Sequence, residues 1–113
     1  MKEMKSEKDT VLVPDSGYKA CECDWLTGVY TREFTEKRIN QFLKEQKAGV
    51  LIVVDVDDFK QVNDRFGHII GDRLLNSLAS MLKQLTLHND LVGRVGGDEF
   101  VIFMPIQQDE KFV

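Results

Sequence analysis

The chain has 113 residues, enough for one domain and too few for two, since independent domains run to roughly 100–200 residues. Its 42% hydrophobic and 30% charged content is that of an ordinary globular chain and excludes the fibrous, disordered and membrane-embedded classes. A formal charge of −4 argues against nucleic acid as a partner, because phosphate backbones are gripped by surplus Lys and Arg, yet it leaves room for a nucleotide held through metal ions.

In chain order, residues 1–23 are mostly polar, with Pro14, Ser16 and Gly17 marking a turn, and read as a tail or linker. Met1 to Thr10 lacks the apolar core of a secretory signal. The longest apolar run, Ala48 to Val54, falls far short of the roughly 20 residues that cross a bilayer, so no membrane insertion and a cytoplasmic location are expected. Cys21 and Cys23 stand one residue apart, which suits neither a disulfide nor a zinc site without further ligands, and both are read as reduced thiols. His68 and His88 lack ligand spacing and are read as structural.

From Thr31 to Lys47, Phe34, Ile39, Phe42 and Leu43 recur among charged residues, predicting an amphipathic helix closed by Gly49. The β-branched run Val50 to Val54 predicts a strand covered on both faces in the middle of a sheet. Asp55, Asp57 and Asp58 follow at once, where a rigid strand end holds carboxylates within reach of a ligand. Gly71 to Leu85 places Leu74, Leu75, Leu78, Ala79, Leu82 and Leu85 at helical spacing. Leu91–Val95 and Phe100–Met104 then flank Gly96-Gly97-Asp98-Glu99, a hairpin whose glycines permit the positive φ of a tight turn. Helix, strand, crossover helix and hairpin make an α+β, ferredoxin-like arrangement, with helices packed on a mostly antiparallel sheet.

If the hairpin pairs beside the strand, as short connections favour, Asp55, Asp98 and Glu99 converge. Like charges so placed need a cation or a proton to offset their repulsion, and hard oxygen donors without sulfur or imidazole point to Mg²⁺ or Mn²⁺. Magnesium held by one or two carboxylates keeps positions for phosphate oxygens, and two such ions serve phosphoryl or nucleotidyl transfer. The residues alone leave a second reading open, in which acids beside turns are merely solvated caps.

Gly96-Gly97-Asp98-Glu99-Phe100 is the string that names the GGDEF family of diguanylate cyclases, and the chain resembles that family elsewhere too. Asp24 to Arg32 is similar to the family's D-x-L-T-G-L-x-N-R segment, departing at Val29 and Thr31. Asp55-Val56-Asp57-Asp58-Phe59-Lys60, Asn63 to His68 and Gly71-Asp72 resemble its D-x-D-x-F-K-x-x-N-D-x-x-G-H-x-x-G-D stretch. The match runs from residue 24 to about 104, with 24–113 taken as the domain.

The resemblance implies a nucleotidyl-cyclase-type sheet and condensation of two GTP into cyclic di-GMP with release of pyrophosphate, each subunit of a homodimer presenting one GTP. It implies two Mg²⁺ (or Mn²⁺) per active site, held by Asp55, the Val56 carbonyl, Asp98 and Glu99, with Asp98 and Glu99 catalytic. Asn63 and Asp72 would take the guanine edge, Lys60 and the backbone at Asp58 and Phe59 would lie along the triphosphate, and Gly96 and Gly97 would let the backbone approach it. For these residues other readings stay open: Asp72 as a helix cap, Asn63-Asp64 as a plain turn, Lys60 as a solvated charge. Phe100 is expected to anchor the turn in the core. Where many members carry an inhibitory Arg-x-x-Asp, this chain has Leu87-His88-Asn89-Asp90, and leucine cannot replace the guanidinium fork, so feedback through that site is not expected. The resemblance also implies that the C-terminal part of the domain, with its further basic residues, lies outside this sequence. An attached sensory or regulatory domain is expected, and a catalytically inactive GTP-binding or protein-interaction module is the alternative to the enzyme.

Overall fold

The computed structural model describes residues 22–45, 48–87 and 89–106. The expected turn at Pro14, the Cys21 thiol, His88 and residues 107–113 lie outside them.

The first helix, α1 (Arg32–Lys44), starts where Thr31 turns extended and its Oγ1 accepts the Phe34 N–H at 3.3 Å. That hydroxyl satisfies one of the N–H groups a helix start leaves without an internal partner. Glu33 in the first turn and Lys44 in the last suit the helix dipole. The helix stops at Lys44, short of the Lys47 expected from the sequence.

Among the described residues three strands form one antiparallel sheet: β1 (Gly49–Asp55), β2 (Leu91–Gly96) and β3 (Glu99–Pro105), in the order β1-β3-β2. The register runs unbroken from Gly49↔Pro105 to Asp55↔Glu99. Here the structure corrects the sequence reading. β1 is an edge strand among the described residues, with Val50 45%, Leu51 52%, Ile52 40% and Val53 59% exposed. The position covered on both sides belongs to β3, where Phe100, Val101, Ile102 and Phe103 are all buried. Both runs are equally apolar, and a run of this kind reports that a strand forms without saying which strand gains two neighbours.

Two helices follow β1 where one was expected. α2 (Phe59–Phe66) and α3 (His68–Leu85) meet at Gly67, whose φ of 89° lets the chain leave one helix and enter the next without Cβ strain. α2 replaces the plain turn that Asn63-Asp64 left open, and α3 begins three residues before the expected Gly71. At Gly71 the helices approach so closely that a Cβ would overlap the Asn63 side chain.

The sheet lies between α1 and α3. On one face Val29, Val92, Phe100 and Ile102 pack with Leu75, Ala79 and Leu82 of α3. On the other, Phe42 of α1 meets Phe103 with ring centroids 5.5 Å apart, and Thr35 fills the space a side chain at Gly93 would need. Residues 22–30 fold into a turned loop that meets the outer edge of β2 at Tyr30, whose N–H donates to the Val92 carbonyl at 3.0 Å and whose carbonyl accepts the Arg94 N–H at 2.9 Å. This is the expected α+β arrangement of helices on an antiparallel sheet.

Candidate functional site

Asp55 closes β1 and stands directly opposite Glu99, the first residue of β3. Residues facing each other across antiparallel strands share a face and hold their Cβ atoms about 4.5–5.5 Å apart. The next residue continues the junction, the Val56 N–H donating to the Asp98 carbonyl at 3.0 Å. The exit of the first strand is thus bound to the tip of the hairpin, which brings the two acidic clusters of the sequence to one corner of the sheet. Asp55 is exposed, and Asp98 and Glu99 are half-buried. Glu99 also lines a hollow of about 330 Å³ under α1, with Arg32 and Glu36 at its rim.

The turn itself is Gly97-Asp98, between the paired residues Gly96 and Glu99. The expected positive φ at Gly96 and Gly97 is absent; among described residues it occurs at Gly28, Asp58 and Gly67. A break in register between Arg94 and Gly96 lies just before the turn, an irregularity of the kind that bends a strand locally. What Gly97 contributes is open space, for a Cβ built there meets nothing within 4 Å. Phe100, fully buried, anchors the turn as expected.

Asp58, at φ 56°, is the left-handed residue that starts α2, a conformation costing a non-glycine residue about 1 kcal/mol that Asp tolerates better than most. Its side chain makes no capping bond, so the first-turn N–H groups of α2 are left to other partners. Phe59 packs against the core and Lys60 is exposed. Asn63 is pressed against Gly71, and its buried Oδ1 has no hydrogen-bond partner. Asp72 lines a hollow of about 350 Å³ with Leu26, Arg73, Asn76 and Ser77. It cannot cap α3, which begins four residues earlier at His68 with no acid in its first turn. Leu87 and Asp90 close a small turn, the Leu87 N–H donating to the Asp90 carboxylate at 2.8 Å.

One residue missed in the sequence joins these parts. Arg94 donates through Nη1 to both Asp24 oxygens, at 3.1 and 3.3 Å, and through Nη2 and Nε to the Gly97 carbonyl, at 2.8 and 3.3 Å. Asp24 also accepts from the Thr27 N–H and hydroxyl. Burial pushes the Asp24 carboxyl up, but the bonds from Thr27 and Arg94 outweigh burial and hold it below its ordinary value. A pair 70 residues apart leaves no local pattern by which to find it.

The family model described as diguanylate cyclase, GGDEF domain, matches residues 21–112. The chain belongs to the GGDEF family. It is 40% identical over 86 residues to the probable diguanylate cyclase DgcC of Escherichia coli (strain K12), covering 72% of this chain and 23% of that protein. Against the diguanylate cyclase DgcP of Pseudomonas aeruginosa it is 37% identical over 86 residues, 73% of this chain and 13% of the relative. Among solved structures, the diguanylate cyclase SiaD of Pseudomonas aeruginosa, in complex with its activator SiaC, superposes with a TM-score of 0.69 at 35% identity over 80% of this chain and 36% of that one. The GGDEF chain thus spans less than a quarter of these curated relatives.

Among the described residues no three His, Cys, Asp or Glu side chains form a group that could hold a metal ion by themselves. The expected convergence of three acids is not found among the described residues: Asp55 and Glu99 face each other across the paired strands, while Asp98 meets this corner through its backbone carbonyl. Such a pair fits Mg²⁺, which takes one or two carboxylates and fills its remaining positions with water and phosphate oxygens.

Proposed function

We infer that this GGDEF domain binds GTP with Mg²⁺ (or Mn²⁺) and, as one half of a homodimer, condenses two GTP into cyclic di-GMP in the cytoplasm. The observation that carries this reading is the Asp55↔Glu99 pairing with the Val56–Asp98 hydrogen bond beside it. Asp55, Glu99 and the Val56 carbonyl are the oxygen donors that would hold the ions, and when bound the ions neutralise the triphosphate and the charge that develops on it. The carboxylate of Asp98 takes the proton of the attacking 3′-hydroxyl. The new bond joins that oxygen to the α-phosphorus of the partner's GTP, and the bond to pyrophosphate breaks. The same exchange in the opposite sense closes the ring.

Guanine selection falls to Asn63 and Asp72. Asn63 lies against Gly71, the residue preceding Asp72, and its buried oxygen has no hydrogen-bond partner, so on this reading it turns outward to accept from the base. Guanine presents N–H groups where adenine presents an acceptor. Lys60 and the first-turn N–H groups of α2 stand beside this pair and suit the triphosphate. The open space at Gly97 leaves room for the phosphates to approach the hairpin backbone.

The test is incubation of the purified chain with GTP and Mg²⁺, with cyclic di-GMP as the readout and Asp98→Ala as control. Product from the native chain and its loss in the control support the cyclase. GTP binding without product supports the regulatory module instead, and unchanged product from Asp98→Ala overturns the site.

A further inference from the structure

We propose that Arg94 is a positioning residue that seats the signature turn, with Asp24 as its anchor in the segment preceding α1. The guanidinium is a rigid planar fork, and here its two edges serve two masters. Nη1 is committed to the Asp24 carboxylate, and Nη2 with Nε to the carbonyl of Gly97. Both side chains are mostly withdrawn from water, at 19% and 18% exposure, so the pair is better shielded than a surface ion pair.

Gly97 immediately precedes Asp98, whose carbonyl receives the Val56 N–H. A displaced Gly97 peptide therefore moves the Asp98 carbonyl and loosens the seam between the end of β1 and the hairpin. Glycine has no side chain with which to brace itself, and nothing packs within 4 Å of where its Cβ would be. The fork is the contact that holds this peptide from the side. Asp24 is itself fixed by the Thr27 hydroxyl at 2.7 Å and by the loop bonds Asp24 N–H to Val29 and Gly28 N–H to Asp24. The segment containing it is stitched along β2 through Tyr30. Beside the Tyr30 backbone bonds to β2, the guanidinium gives residues 22–30 a direct side-chain contact with the turn that carries Asp98 and precedes Glu99.

The experiment reads amide hydrogen exchange at Val56, whose N–H is the reporter bond, in the native chain, Arg94→Lys and Asp24→Asn. Lysine keeps the charge but cannot serve both partners, and asparagine keeps a hydrogen-bond acceptor without the charge. Each variant is expected to exchange Val56 about tenfold faster, with the double variant no faster than the worse single one, while the buried amides of Leu75 and Ala79 in α3 keep their native rates. A merely structural role would speed both regions together. Unchanged Val56 exchange in Arg94→Lys, a rise in step with α3, or additive effects in the double variant overturn the assignment.

The catalytic consequence rests on the cyclase reading: kcat should fall about tenfold with KM for GTP nearly constant, because the acids lose their aim rather than the nucleotide its pocket. Should the native chain yield no product, that reading fails on its own, and Val56 exchange still decides the role of Arg94.

Discussion

Asp24 and Asn63 are the two residues whose surroundings say most about the site, one because its charge is satisfied and the other because its oxygen is not. With a folded pKa below its unfolded one, Asp24 contributes stability that is present above the unfolded value and lost as pH falls through the folded value. Acid titration followed by thermal melting should therefore show a shallower loss of stability in Asp24→Asn than in the native chain, and superimposable profiles would contradict the strength given to the Arg94 and Thr27 bonds. For Asn63 the expectation concerns selectivity. Asn63→Ala and Asp72→Ala should each narrow the preference for GTP over ATP by about tenfold per lost hydrogen bond, measured by competition binding. Equal preference before and after would remove these residues from the guanine edge.

Among the elements, β1 and β3 invite a direct comparison. Val53→Thr on the exposed edge should change stability by no more than about 0.5 kcal/mol. Val101→Thr, at the residue paired with Val53, should cost about 1–2 kcal/mol because it sinks a hydroxyl among apolar neighbours. Denaturant midpoints of the two variants check this, and equal losses would mean that β1 is covered as well as β3. The same pair shows what the sequence could and could not convey. Existence of both strands, the hairpin, α1 and the body of α3 were legible, because apolar periodicity and capping residues such as Thr31 act locally. Strand order was not, since it depends on which runs find partners far along the chain. α2 was hidden for a different reason: in eight residues it holds only Phe59, Val62 and Phe66 as large apolar positions, and its acceptance as a helix depends on Gly67 and on packing at Gly71. Of the site, Asp55, Asp98 and Glu99 were legible as acids at element ends, whereas the glycine conformations and the Arg94 fork required the folded hairpin.

For the molecule as a whole, the net charge is −4, two acids face one another at one corner of the sheet, and a triphosphate adds more of the same sign. On the proposed reading a cation reconciles them, so Mg²⁺ and GTP should stabilise the fold together far more than either does alone. Ligand at about a hundred times its Kd adds roughly 2.7 kcal/mol, a shift visible in a thermal melt. No helix among the described residues is long and apolar enough to cross a membrane. The most direct measurement is Mn²⁺ binding followed by electron paramagnetic resonance in the presence of GTP, for the native chain, Asp55→Asn and Glu99→Gln. If the paired carboxylates share an ion, each variant weakens Mn²⁺ binding by about tenfold or more and the double variant does little further harm. Mn²⁺ held as tightly by either variant as by the native chain would contradict the account.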